Sequence, residues 1–519
     1  MTSPSSDAGG PVTAFRPWYA LAIVPWLTGC AVGPDYHAPR TVVPAAYAAA
    51  QPVAEGGKGA AIDFSRWWQS LKDPVLNALV EQAVKSNLDI EIALDRLQEA
   101  RTAEAVVLGA ALPRVGAGAS YGRGTGNTEA RGGTVPPLTA ATTTRGFDEV
   151  NQAAGFDLGW DLDLFGRYRR ELEAARDATQ AAAAFRNTVL VAVVADVALA
   201  YVDMRGLQMQ LVIVRKEIAT AERSLGFVRV RYERGLTNEL DVTLAQRELS
   251  TLQSRLGPIA AGIAAAKDSI AVLLGRYPED YAKAFAAEGV IPPIPGRIDQ
   301  GLPIDLLRRR PEIREAERQL AAATARIGIA TADLYPQVVV GSAIGFQAGK
   351  GTDGAALGEH LWSVGPSAYW SLLDFGTLDA LVQIADLQTR EQLVNYRRTV
   401  LNAVRNVDTA LARYQAEQES LASLSQAVTA SQAAVRLAEE RYERGLTDYL
   451  NVIDAEREDY ALQDQFAAAQ QSVADQFVAL FRALGGGWEG YQSVPPIRQP
   501  LPAILASAQR LVSRPEPTE

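Results

Sequence analysis

The sequence predicts an α+β membrane protein built from two copies of one architectural half, each holding a strand pair and a very long helical hairpin. Three observations predict it. The heptapeptide RYERGLT stands at 231–237 and again at 441–447, an offset of 210 residues (441 − 231), and Trp160, Phe165 and Gly166 fall on Trp370, Phe375 and Gly376 at the same offset. Two stretches in each half alternate apolar with small or polar residues, the period of a half-buried strand. After each strand pair comes a proline-free run, 167–234 and 377–444, with apolar residues at every seventh position. A repeat of 20 to 50 residues would mean a solenoid, whereas this spacing duplicates a whole half. Upstream the offset becomes 223, which carries Pro113 onto Pro336 and leaves the first half 13 residues longer (223 − 210) between Pro113 and Trp160.

In chain order, residues 1–29 read as a lipoprotein signal peptide. Their apolar stretch is too short to span a bilayer, and Leu27-Thr28-Gly29-Cys30 resembles a bacterial lipobox. In that resemblance the chain is cut before Cys30, whose thiol receives a diacylglycerol and whose new amino group is acylated. This covalent lipid is the only non-protein group expected, and no other cofactor is predicted. Ala31 follows, not the aspartate that commonly retains lipoproteins in the inner membrane of enteric bacteria, so the destination is the outer membrane. A net charge of −10 offers no basic patch for nucleic acid. One cysteine excludes an internal disulfide framework and any multi-cysteine metal site, and the two histidines, His37 and His360, lie far apart in sequence.

Residues 30–72, rich in Pro, Ala and Gly, read as an extended strap. The first repeat, 73–276, opens with helix from Pro74 to about Leu112, broken at Asn87. Its strand pair falls within about 113–165: Phe156, Leu158, Trp160 and Leu162 share a face opposite Asp157, Gly159 and Asp161. A polar loop at about 125–148 joins the strands, with GRGTG at 122–126 read as its opening. The helical run carries Leu190, Val197, Met204, Leu211, Ile218, Leu225 and Tyr232 as a heptad seam. Its tip lies at about 232–238. A linker at 277–302 leads to the second repeat, 303–484, with a strand pair at about 336–375. There Val338, Val340, Ile344 and Phe346 share one face, opposite Gly341, Ala343 and Gly345, and Trp362, Val364, Pro366, Ala368, Trp370 and Leu372 lie on one side of a segment taken as 361–375. The second seam runs through Leu393, Val400, Val407, Tyr414 and onward to Tyr442, with a tip at about 442–448. The tail, 485–519, is unassigned.

At each tip Gly235 or Gly445 supplies the left-handed residue that closes a helix, and Asn238 or Asp448 is an N-cap for the next. Closure needs only the glycine, so the repetition around it predicts recognition by a partner at Gly235-Leu236-Thr237 and Gly445-Leu446-Thr447. Four strands cannot close a barrel, and open edges are not tolerated in lipid. The chain must therefore associate. Two copies would supply eight strands and three copies twelve, and the twelve strands of a trimer above twelve helices use every element.

These residues resemble the outer membrane efflux protein (TolC-like) family, in its lipoprotein branch serving RND-type tripartite pumps. The resemblance rests on CAVGPDY at 30–36, LDLFGR at 162–167, the stretch from Arg308 to Pro336, both RYERGLT tips and ALGGGWE at 483–489. It implies a homotrimer, a twelve-stranded barrel among outer membrane lipids and a periplasmic helical barrel closed at its far end. It also implies a periplasmic adaptor docking on the tips and an inner-membrane RND transporter behind it. The family places an aspartate and a tyrosine at that closed end, matched here by Asp454 and Tyr442. Asn451 stands where some relatives carry a second acid, and Arg441 and Arg444 are candidate partners for the gate. The implied function is an exit duct for drugs or other small molecules, not an enzyme; no Ser-His-Asp arrangement, phosphate loop or metal-ligand cluster stands at usable spacing. Alternatives are a type I secretion duct for peptides or proteins, and a trimeric coiled-coil adhesin. An adhesin carries its four strands consecutively at the C-terminus, whereas here a helical half separates the two pairs.

Overall fold

The computed structural model describes residues 31–49, 62–126, 147–281, 289–295, 303–350 and 356–491. Cys30 and the signal segment 1–29, most of the loop at 125–148, parts of the linker at 277–302 and the tail beyond 491 lie outside the described residues.

Helix α1 (Pro74–Ser86) starts where the Asp73 carboxylate accepts from the Val75 and Leu76 amides, with proline at the first helical position. Asn87 ends it and begins α2 (Leu88–Ala110), accepting from Asp89 N at 2.9 Å and Ile90 N at 3.2 Å while its amide donates to Leu273 O. The expected break is thus a shared cap. Strands β1 (Arg114–Gly126), β2 (Phe147–Leu162), β3 (Gln337–Lys350) and β4 (Ala356–Tyr369) form one antiparallel sheet in the order β1-β2-β3-β4. The two hairpins share one register: Arg114 opposes Gly159 in the first, and Gln337 opposes Tyr369 in the second, displaced by 223 and 210 residues. Pairing places Phe156, Ile344 and Trp362 in a row across one face, with Asp157, Ala343 and Ser363 on the other. The GRGTG segment belongs to β1 and not to the loop, because ladder pairing continues to Gly126 opposite Phe147. β4 begins at 356 and stops at Tyr369, so the stretch taken as 361–375 starts late and overruns the ladder.

Below the sheet run α3 (Arg167–Glu233) and α9 (Thr377–Glu443), each 67 residues and so about 100 Å long at about 1.5 Å per residue. Past its tip the first hairpin returns as α4 (Glu239–Ser254) and α5 (Leu256–Leu273), separated at Arg255, whereas the second returns as one helix, α10 (Tyr449–Leu484). Short helices α6 (Pro278–Tyr281) and α7 (Pro303–Arg309) precede α8 (Pro311–Ala332), which packs on α3 and α9. Two helical stretches, Arg167–Glu233 and Glu239–Leu273, contain windows apolar enough to cross a bilayer. Half of the first window is buried against other helices, as a coiled seam requires.

The strap departs from its expected form at one end. Residues 31–49 have little regular structure, but 64–71 coil into a 3-10 helix capped by Asp63. Its tryptophans Trp67 and Trp68, each 1% exposed, are too large to leave on a surface, and Trp67 stacks on Phe481 with centroids 5.3 Å apart. They anchor the main core with Leu190, Val197, Met204, Val407, Phe477 and Phe481. A second core, around Leu225, Val228, Leu249, Tyr449, Val452 and Ile453, lies near the tips.

Candidate functional site at the helical tips

Both tips close by the same backbone motif. Gly235 (φ +70°) and Gly445 (φ +68°) are left-handed; their amides donate to Tyr232 O and Tyr442 O, and the next amides, of Leu236 and Leu446, donate to Arg231 O and Arg441 O, all at 2.9 Å. This double bond pattern satisfies the last carbonyls of α3 and α9. Leu236 and Leu446 remain 61% and 64% exposed, so the capping does not use their side chains. Thr237 and Thr447 do have a local task. The Thr237 hydroxyl donates to the Asp241 carboxylate, and Thr447 Oγ1 accepts from Asn451 Nδ2 at 2.7 Å, one turn into the returning helix. Asn238 caps α4 by accepting from Asp241 N, whereas the Asp448 side chain makes no capping bond to α10, contrary to its expected role.

The residues expected at the gate scatter. Tyr442 is 5% exposed, its ring against Phe227 (6.1 Å, edge-on) and Tyr449 (5.3 Å). Its hydroxyl is buried without a hydrogen bond of normal geometry, although Thr237 stands close by, and burial raises its pKa. Asp454 is exposed on α10 and Arg441 is exposed on α9. Arg444 pairs with Glu440 on its own helix, and Asn451 is held by Thr447. Within one chain, neither Arg441 nor Arg444 therefore joins Tyr442 to Asp454.

Sequence reasoning missed two features here. The first is Arg231, whose guanidinium lies 4.6 Å from the Tyr442 ring centroid and 5.8 Å from that of Phe227, and which donates to Tyr442 O at 3.4 Å. The repeated motif held the signal: Arg231 is the first arginine of one copy and Tyr442 the tyrosine of the other. The second is a buried acidic group further up the hairpins: Glu217, Glu248, Glu456 and Asp459, each between 2% and 7% exposed. Arg255 bridges Glu217 (3.1 Å) to Asp464, and Arg457 holds Glu248 at 2.7 Å. Among the described residues Glu217 Oε1 and Glu456 Oε1 find no hydrogen-bond partner. Burial, then the neighbouring Asp464, pushes Glu217 up to about 7, and burial, then Glu439, does the same for Glu456. Among the described residues no group of acids and histidines has metal-site geometry. The tips thus offer a glycine-closed turn with exposed leucines above a tightly packed, charge-laden seam.

A model of the family described as outer membrane efflux protein matches residues 79–276 and 302–486. Nodulation protein T of Rhizobium leguminosarum bv. viciae is 30% identical over 495 residues, covering 94% of this chain and 96% of its own. The toluene efflux pump outer membrane protein TtgF of Pseudomonas putida is 30% identical over 486 residues, covering 92% and 98%. Among solved structures, the outer-membrane channel OprN superimposes with a TM-score of 0.79 at 35% identity, over 88% of this chain and 100% of that one.

Proposed function

This chain belongs to the outer membrane efflux protein family, and on that premise we propose that three copies form one continuous exit duct. The sheets join β4 to β1 around a twelve-stranded barrel, and the helices, two repeats per chain, continue it through the periplasm. The observation that carries this reading is the sheet itself. Among the described residues of the chain both edge strands, β1 and β4, have only one neighbour, while Phe156 (59% exposed), Ile344 (62%) and Trp362 (76%) stand along one bare apolar face. In lipid such edges must be paired, and only further copies supply the strands.

Cys30 carries the covalent lipid. Residue 31 supports its place: Val32 N bonds Phe165 O at 3.1 Å, where β2 gives way to α3, and a side chain on Gly166 would collide with Ala31. The strap therefore leaves from the level of the membrane. At the far end Gly235, Leu236, Thr237, Gly445, Leu446 and Thr447 present the surface for a periplasmic adaptor, with an RND transporter beyond it. Threefold symmetry turns the exposed Asp454 carboxylates, one per chain, towards the constriction, and their mutual repulsion calls for cations or donors to hold it shut. The duct conducts passively and catalyses nothing; its cargo is small molecules of the kind its relatives are named for, toluene being the first to try. Two experiments test the reading. Purified protein in a planar bilayer should give discrete conductance steps, and a strain lacking the gene should accumulate toluene until it is restored. Folded protein that conducts nothing, in a strain whose toluene uptake is unchanged, would overturn it.

A further inference from the structure

The strap crosses the groove between α8 and α9 on two posts. At one the Tyr36 hydroxyl donates to Glu317 at 3.1 Å, and at the other the Thr41 and Tyr396 hydroxyls lie 2.9 Å apart. Between the posts the strap bridges a cavity of about 710 Å³, within the range of about 300–1,000 Å³ that small-molecule sites occupy. Close packing normally eliminates such a volume. The floor is apolar: Leu320 and Val400 are 5% and 4% exposed, and Leu393 stands two turns from Val400 along α9. The rim is cationic. Arg390 and Arg397 are likewise two turns apart, about 10 Å, and Arg40 lines the cavity from the strap. Among the described residues the one acid in the lining is Asp35, and Arg170 already holds it at 2.8 Å.

The fold does not demand these cations. Arg40 and Arg397 are exposed and, among the described residues, have no hydrogen bond or ion pair; Arg390 has Asp386 of its own helix, in an open pair at 3.0 Å. In the first repeat the equivalent groove, between α2 and α3, carries Gln180 and Asn187 where α9 has Arg390 and Arg397, at the offset of 210 residues. Leu97 stands there for Leu320, at the offset of 223, so the apolar packing is retained and the positive charge is not. In a chain of net charge −10, three arginines around one cavity are a local reversal of sign.

We propose that the cavity binds an organic anion with an apolar body, its charged group held by Arg40 and Arg397 and its body laid along α9 on Leu320, Leu393 and Val400. The forked donors of a guanidinium match a carboxylate, sulfonate or phosphate, whereas an inorganic ion would leave the apolar floor uncovered. The bound anion ties the strap to both helices, since Arg40 grips it from one side and α8 and α9 from the other. Every group of the site lies within one chain, so binding does not depend on how copies assemble.

The probe is dodecanoate bearing a diazirine on its chain, added to the full-length protein in amphipol and photolysed, with the labelled peptides located by mass spectrometry. The expected result is saturable labelling within 36–42, 320–324 and 389–401 that plain dodecanoate competes away. The methyl ester of the same probe, which has no charge, should label these peptides about tenfold less. Arg40→Gln with Arg397→Gln should lower labelling by the acid about tenfold as well, at an unchanged melting temperature because both side chains are exposed. Thr324→Trp fills the cavity, leaves the arginines in place and should also lower it. Equal labelling by acid and ester would make the cavity an apolar groove without anion selectivity and overturn the proposal. Parent-level labelling of the folded arginine variant, or labels with no preference for these peptides, would overturn it too.

Discussion

Replacing Tyr442 by phenylalanine should leave the tip seam intact, while replacing it by alanine should open it. The ring is 5% exposed and touches Phe227, Tyr449 and the Arg231 guanidinium, whereas the hydroxyl is buried without a well-formed bond. Deleting a partnerless hydroxyl removes a desolvated polar group and is worth within about 1 kcal/mol of zero, in either direction. Tyr442→Ala empties an aromatic site, a change that costs about 3–5 kcal/mol in packed cores, and also removes a cation–π contact of about 1 kcal/mol. The loss is local, so it appears first as faster hydrogen exchange of the amides at 440–446, by two or more orders of magnitude for about 3 kcal/mol. The same variant should show more frequent open events in planar bilayers. Arg231→Ala should reproduce part of both effects. If Tyr442→Phe loosens the tip as much as Tyr442→Ala does, the hydroxyl holds the seam and the ring-packing reasoning fails.

Glu217 and Glu456, raised from 4.5 to about 7, keep protons in the folded chain that the unfolded chain releases. Their stabilisation is fullest below about pH 4.5 and is lost as pH rises through 7, by at most about 3 kcal/mol each and less than additively, since both lie in one acidic group. Melting temperature followed from pH 5 to 8.5 should therefore fall, and Glu217→Gln with Glu456→Gln should flatten the slope; an unchanged slope contradicts the assignment. Arg170, 4% exposed, donates to Val32 O, Gly33 O, Asp35 and Glu173. Arg170→Met should cost on the order of 2 kcal/mol and free the strap, read as new proteolytic cleavage within 31–49, and a strap that stays protected refutes this. Gly445→Val strains a left-handed turn by about 1–2 kcal/mol, and its Cβ meets nothing within 4 Å. It should abolish adaptor cross-linking in cells while trimers still assemble, and full cross-linking would remove the tip from the docking surface.

Much of the fold was legible because it is periodic. Alternation named the faces of the sheet, and the 210 and 223 offsets carried enough information to relate the registers of its two hairpins. The tips were legible because a left-handed glycine leaves few conformational choices. The extended strap was misjudged at Trp67 and Trp68, where burial of two large rings overrides a coil-like composition. GRGTG was misjudged because glycine density signals a loop, while neighbouring strands can still pair its backbone. Thr237 and Thr447, singled out as recognition residues, also bond Asp241 and Asn451, a local task that the repeat alone did not reveal. Arg231 and the buried acids escaped for a different cause: their role depends on which hairpin lies beside them, and a linear pattern holds no such adjacency.

Native mass spectrometry of the protein released from outer membranes in mild detergent bears on the whole scheme at once. The predicted result is a particle of three chains, each beginning at an acylated Cys30. A particle of one or two chains would leave the four-stranded sheets with the wrong number of partners for a twelve-stranded barrel and would contradict the duct described here.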